Sequence, residues 1–419
     1  MIEFFLIIKM KSFIILLISI SFISSELIKE DLGNGIYYIG VNDDKITLFE
    51  GQYPVEHGMA YNSYLVKDEN EIAIIDTVDK HFKDEWLENI RKQLNDKKPK
   101  YLIIQHMEPD HSACIDEFVK KYPEVTVVSS KKAFAMMVNF FHNDYKNNRI
   151  VVKEGDTLKM GKHTFAFVEA PMVHWPEVIV TYETYSKTLF SADGFGKFGS
   201  NSFDEDWDNE SRRYFIGIVG KYGNQVQNLL KKASTLDIKM ICPTHGPVLT
   251  KDLGHYLSLY NTWSSYEPEN DGIVIAYTSI YGHTTEAVQL LEKKLKEKGA
   301  TVVLHDLTRE HVSYAVADAF KYSQLVLATT TYTAVIFPAM NFFIDHLIHR
   351  NFQKRNIAFI ENGSWAVTAK KIMKSKLDES NLSFAKQSVT IKSSLCERSI
   401  KEIEALADEL AKYKIIKKK

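Results

Sequence analysis

The spacing of hydrophobic positions changes once along this chain, near residue 270. Before that point, short apolar runs are separated by polar breaks. Ile36-Tyr37-Tyr38-Ile39, Ser63-Tyr64-Leu65-Val66 and Glu71-Ile72-Ala73-Ile74-Ile75-Asp76 are bounded by Gly, Asn or Asp and predict strands. Tyr101-Leu102-Ile103-Ile104 and Val125-Thr126-Val127-Val128 predict two more, with others at 164–168, 178–182 and 188–191. Between them, helical spacing runs over 81–95 (Phe82, Trp86, Ile90, Leu94), 112–119 and 131–141. Sheet with outer helices predicts an αββα sandwich over residues 27–265. The polar, proline-containing stretch Tyr266-Glu267-Pro268-Glu269-Asn270-Asp271 is expected as a linker. Beyond it strand and helix alternate strictly: strands at 273–277, 301–304, 325–328, 357–360 and 388–391, helices at 285–298, 337–350, 366–377 and 400–413. Five strands with crossover helices predict a doubly wound parallel sheet over residues 266–419.

Composition narrows the function classes. A chain of 419 residues suits two or three domains. Lys plus Arg is 52 against 54 for Asp plus Glu, so no electrostatic case exists for nucleic-acid binding. Three widely spaced cysteines (Cys114, Cys242, Cys396) give neither a disulfide framework nor a CxxC knuckle, and all three are expected as buried thiols. Residues 1–26 are apolar apart from a few charges. Lys11, an apolar run over 13–20 and Ser24-Ser25 have the form of a signal peptide, or of an anchor too interrupted for a comfortable span.

The chemistry concentrates at His106-Met107-Glu108-Pro109-Asp110-His111, directly after the strand at 101–104. In an extended loop, 106, 108 and 110 would point one way and 111 the other. Four potential ligands in six residues suffice for two adjacent ions, one taking 106 and 108, the other 110 and 111. A polar surface turn is the plain alternative. Two His and two carboxylates straight after an apolar strand are hard to obtain that way. His174, Asp193 and His245 also follow predicted strands, completing four His and three carboxylates, enough for a two-metal site bridged by Asp193.

This pattern resembles the metallo-β-lactamase fold, and within it the flavodiiron (A-type flavoprotein) family. Zinc hydrolases of that fold carry HxHxDH; here Glu108 stands at the second His, making the donor set harder and favouring iron. The resemblance implies that His106, Glu108 and His174 hold one iron, that Asp110, His111 and His245 hold the other, and that Asp193 bridges. His57 is a candidate donor behind the ligands and Trp175 a candidate pocket wall. The histidines at 81, 142, 163, 255, 305, 311, 346 and 349 are expected at the surface or at helix ends.

In the second half, the strand at 273–277 runs into Thr278-Ser279-Ile280-Tyr281-Gly282-His283-Thr284 and then a helix. Hydroxyls and free N–H groups at a helix N-terminus make a phosphate cradle, without GxGxxG or a P-loop. The stretch resembles the FMN phosphate loop of flavodoxins. By that resemblance Thr330, Thr331, Tyr332 and Thr333, in a loop over 329–333, and Asn362, Gly363, Ser364 and Trp365, in a loop over 361–365, embrace the flavin ring. The ring loops depart from the commonest flavodoxin pattern. No rubredoxin-like CxxC pair follows. The resemblance, over roughly residues 27–415, implies a di-iron/FMN oxidoreductase that reduces O2 to water, NO to N2O, or both. It also implies rubredoxin or another small electron carrier as donor, and a head-to-tail homodimer or dimer of dimers. The rival readings are a zinc hydrolase with a flavodoxin appendage and an electron-transfer flavoprotein with a vestigial metal site. A cytoplasmic location is expected, because reduced carriers are supplied there and Asn362-Gly363-Ser364 would be a glycosylation acceptor in a secretory pathway.

Overall fold

The computed structural model describes residues 30–204, 206–378 and 380–413, so the apolar segment at 1–26 lies outside the described residues. Among the described residues no helix is long and apolar enough to cross a membrane. The chain forms two compact units. One takes the described residues up to Glu210 together with Asp237–Leu253; the other takes Ser211–Leu236 and the chain from Gly254 onward.

In the first unit two sheets face each other. The seven-stranded sheet runs Asp31–Gly33, Ile36–Tyr38, Tyr64–Lys67, Ile72–Ile75, Tyr101–Ile103, Thr126–Ser130, Arg149–Val152. It is antiparallel as far as Ile72–Ile75 and parallel beyond. The five-stranded sheet runs Thr157–Met160, His163–Glu169, Ile179–Glu183, Thr188–Phe190, Met240–Cys242. Alternate residues of both sheets meet in one core, with Val66, Ile75, Ile103 and Val128 against Phe165, Phe167, Ile179 and Phe190. Ile72–Ile75 is buried at every position, as a strand covered on both faces must be. The helices Lys83–Leu94 and Ile115–Lys121 share a contact of Trp86 with Phe118, and the Trp86 indole N–H donates to Ser63 Oγ at 3.0 Å. Strands thus end at Ile75, Ile103, Phe190 and Cys242, and the loops that leave them carry the polar residues of interest.

The second unit is a doubly wound sheet in the order Val302–Asp306, Asn270–Tyr277, Tyr322–Tyr332, Asn356–Asn362, with Ser383–Phe384 and Val389–Ile391 completing the far edge, all parallel. Helices His283–Glu297, Val312–Lys321, Pro338–His349, Ala369–Leu377 and Glu397–Lys412 lie between or after these strands. Leu291, Leu295, Leu406 and Leu410 close its core over Ile275, Val326 and Ile360.

Several expectations need correction. Tyr266–Asp271 is not a solvated spacer: Tyr266 is buried and its hydroxyl donates to Gly220 O at 2.9 Å. Within the same stretch, Glu269 pairs with buried Arg212, and the strand already begins at Asn270. The Thr329–Thr333 stretch is not a loop. β-branched side chains carry the strand on to Tyr332, and the chain turns only at Thr333 and Ala334, both at positive φ. Glu361 and Asn362 likewise belong to a strand. The helix expected over 112–119 starts later, at Ile115 after Cys114, and the Ser112 hydroxyl donates to Met107 O. His163 and His305 are buried, because Glu183 meets the first while Asp318 and Glu310 meet the second. Cys396 is exposed at the start of the last helix.

Candidate metal centre

The loop after Tyr101–Ile103 is anchored before its first ligand. Asp76, at the end of the neighbouring strand, accepts from Gln105 N at 2.7 Å and from Gln105 Nε2 at 2.8 Å. Burial pushes the Asp76 carboxyl up to about 6. The segment is not extended throughout. Pro109 opens a short helical turn, Pro109–Ser112, with Glu108 just before it. That turn swings Asp110 and His111 away from His106 and Glu108.

The structure brings all seven sequence-predicted residues together in two groups. His106, Glu108, His174 and Asp193 offer donor atoms within 4.8 Å of one another, and so do Asp110, His111 and His245. Asp193 stands between them. Its Oδ2 faces His174 Nε2 at 3.1 Å and His106 Nε2 at 3.4 Å. Its Oδ1 faces His111 Nε2 at 3.1 Å and His245 Nε2 at 3.8 Å. Asp110 lies 3.4 Å from both His111 Nε2 and His245 Nε2.

Residues behind these donors fix their orientation. Glu177 Oε1 lies 2.8 Å from His106 Nδ1 and accepts from Met107 N at 2.9 Å, which leaves His106 Nε2 facing inward. Ala60 O does the same for His245, 2.7 Å from its Nδ1. Thr244 Oγ1 donates to Asp193 Oδ1 at 2.6 Å. Trp175 forms a wall, edge-on to His106 at 5.2 Å, and Phe49 packs on His245 at 5.6 Å. His57 stacks on Phe203. Asp76, Glu177 and Thr244 were not singled out by sequence reasoning. Nothing in the sequence marks Glu177 as the partner of a histidine 71 positions earlier.

The electrostatics follow from this crowding. Burial works against charging His106, but Asp193, Glu108 and Glu177 raise its pKa well above that of a free imidazole. Burial is likewise overridden at His111 by Asp110 and Asp193, and at His174 by Asp193 and Glu108; each rises to about 9. Asp193 is buried, which alone would raise it, yet His106 and His111 hold it well below the carboxylate range.

The donor set fits two hard cations. Both Asp110 carboxylate oxygens and the inward-facing His111 Nε2 are buried without a hydrogen bond, a costly state that a bound cation relieves. Seven nitrogen and oxygen donors with no thiol, including Glu108, suit iron better than zinc.

In the second unit, Ser279, Ile280, Tyr281, His283, Thr284, Thr330, Thr331, Asn362, Gly363, Ser364 and Trp365 line one cleft of about 330 Å³, which Ala366 and Ser393 complete. Gly282, at φ 97°, precedes helix His283–Glu297, and Ser279 Oγ accepts from its N–H. Thr278 does not line the cleft; its hydroxyl bonds that of Thr329. Tyr332 packs on Phe337. The buried Thr330 hydroxyl has no hydrogen bond, and Tyr281 and Trp365 are 89% and 82% exposed, which leaves two aromatic faces free beside the cleft.

The chain has relatives of known sequence and structure. A family model described as ODP family beta lactamase matches residues 59–246. The chain is 28% identical over 356 residues to a nitric oxide reductase of Moorella thermoacetica, covering 82% of this chain and 88% of that one. It is 32% identical over 269 residues to a putative diflavin flavoprotein A 1 of Thermosynechococcus vestitus, covering 62% of this chain but only 46% of that longer protein. A solved mutant of the flavo di-iron protein from Thermotoga maritima superposes with a TM-score of 0.84 at 26% identity, over 92% of this chain and 97% of that one.

Proposed function

Because the sequence and structural homologues of this chain are flavodiiron proteins, with metallo-β-lactamase-like and flavodoxin-like domains, we propose that it is a di-iron/FMN oxidoreductase that reduces O2 to water, NO to N2O, or both. The observation that carries the reading is Asp193. One buried carboxylate presents one oxygen to each of two donor groups, as a bridge between two cations requires. In this reading His106, Glu108 and His174 hold one iron, and Asp110, His111 and His245 hold the other. FMN occupies the cleft at Ser279, Thr284, Thr330 and Gly363, its phosphate at the 278–284 loop.

When bound, the iron pair supplies a redox site for a small oxidant and the flavin supplies further electrons. The chain's own residues do the rest. Glu177 and Ala60 O fix the two imidazoles with Nε2 inward, Thr244 fixes the bridging carboxylate, and Trp175 and Phe49 pack edge-on against His106 and His245. The electron donor in this proposal is rubredoxin or a similar small carrier. The working unit is a head-to-tail homodimer located in the cytoplasm. The division of labour places the metal in the sandwich domain and the flavin in the doubly wound domain.

The test is steady-state consumption of O2 and of NO by iron-loaded, FMN-loaded protein supplied with a reduced carrier. Turnover of at least one gas is expected. Turnover of neither, with both cofactors bound, would refute the assignment.

A further inference from the structure

Asn62 lies between the strands Met59–Tyr61 and Tyr64–Lys67, fully buried. Its amide is used to capacity. Nδ2 donates to Pro243 O at 2.8 Å and to Gly246 O at 2.7 Å. Oδ1 accepts from Tyr38 Oη at 3.0 Å and from Asn201 Nδ2 at 3.1 Å. The amide cannot be turned over, since two carbonyls on one side accept only from its N–H groups. The Asn62 backbone N–H donates to Thr244 O at 2.7 Å as well. One residue therefore grips both ends and the middle of the Pro243–Gly246 turn, about 180 positions away in sequence.

That turn carries Thr244, which holds Asp193 Oδ1, and His245. Asp193 Oδ1 is the oxygen that faces His111 and His245, so on that side the turn sets both a ligand, His245, and the near oxygen of the bridging carboxylate, while the other side meets only the far oxygen, Oδ2. The other half has its own support, through Glu177 on His106, and none of these Asn62 hydrogen bonds reaches it. The turn itself leaves little freedom: Gly246 sits at φ 77°, and an added Cβ would meet Lys197 Cγ at 2.8 Å. With the Asn62 amide removed, Gly246 O loses that donor and Pro243 O keeps Tyr64 Oη at 2.6 Å, so the Gly246 end of the turn, next to His245, is the end set free.

We propose that Asn62 is a positioning residue for one iron of the pair, the one at Asp110, His111 and His245, and not for its neighbour. The inference rests on the di-iron reading above. Asn62→Asp keeps the acceptor for Tyr38 and Asn201 but places a carboxylate against two carbonyls; Asn62→Ser, smaller and neutral, serves if the first does not fold. Val66→Ala, a core truncation on the adjoining strand, matches general destabilisation. Iron and FMN per chain are measured after anaerobic iron loading, with the low-temperature EPR signal of the half-reduced, exchange-coupled pair. Wild-type and Val66→Ala protein should hold about two irons and give the pair signal, whereas the Asn62 variants should hold about one, lack that signal and retain FMN. A pair signal with full iron in both Asn62 variants would overturn the inference, and so would loss of both irons together or equal loss in Val66→Ala. Wild-type protein that binds FMN but not iron would instead overturn the di-iron reading.

Discussion

Glu177→Gln tests whether the residues behind the ligands set metal affinity. Glu177 Oε1 takes two donors, His106 Nδ1 at 2.8 Å and Met107 N at 2.9 Å, in a fully buried setting. The glutamine can keep both bonds in place, but the acceptor becomes neutral. A hydrogen bond to a charged group contributes roughly 1 kcal/mol more than a neutral one, so two bonds lose about 2 kcal/mol. The imidazole also becomes a weaker donor to metal. A loss of that size corresponds to about 30-fold in affinity, within the range of about 10–100-fold typical of such partners. Anaerobic titration of metal-free protein with ferrous iron against a competing chelator reads the affinity directly. FMN content should not change, since Glu177 lies in the other unit. Unchanged iron affinity in a folded variant would refute the reasoning.

Two other outcomes follow from local geometry. In Gly363→Ala the new Cβ would meet Ala366 O at 2.1 Å, so the wall of the cleft must shift; FMN retained on gel filtration should fall well below one per chain while iron binding is kept. At His305, burial opposes the charge but Asp318 and Glu310 raise its pKa to about 9. A raised folded pKa gives stability that is complete below the unfolded value near 6.5 and is lost as pH rises through about 9, on the order of 3 kcal/mol in all. Urea midpoints across that window should fall for wild type and stay flat for His305→Gln; parallel curves would contradict the pairing.

How far the sequence was legible depended on whether partners lay close together along it. The HxExDH stretch was readable because four donors sit in one piece after an apolar strand, and the later donors because each follows a strand end. Most of the alternation of the second half showed through because helices such as His283–Glu297 and Glu397–Lys412 carry their own apolar stripe, whereas the crossover helix Val312–Lys321 is absent from the sequence expectation. What stayed hidden depends on contacts across long separations. Asn62 and Glu177 look like ordinary polar residues until the fold sets them beside Pro243 and His106. His163 and His305 looked like surface residues because the carboxylates that bury them come from other elements. Helical segments at 211–236 and from 254 onward precede the change in pattern, yet they pack with the second unit.

The central claim, that two irons and not zinc occupy the seven-residue centre, is tested most directly by elemental analysis of protein purified from cells supplied with both metals. The account predicts about two irons per chain with zinc minor, as a carboxylate-rich, thiol-free site favours. Zinc in excess of iron, in protein that has kept its flavin, would contradict it.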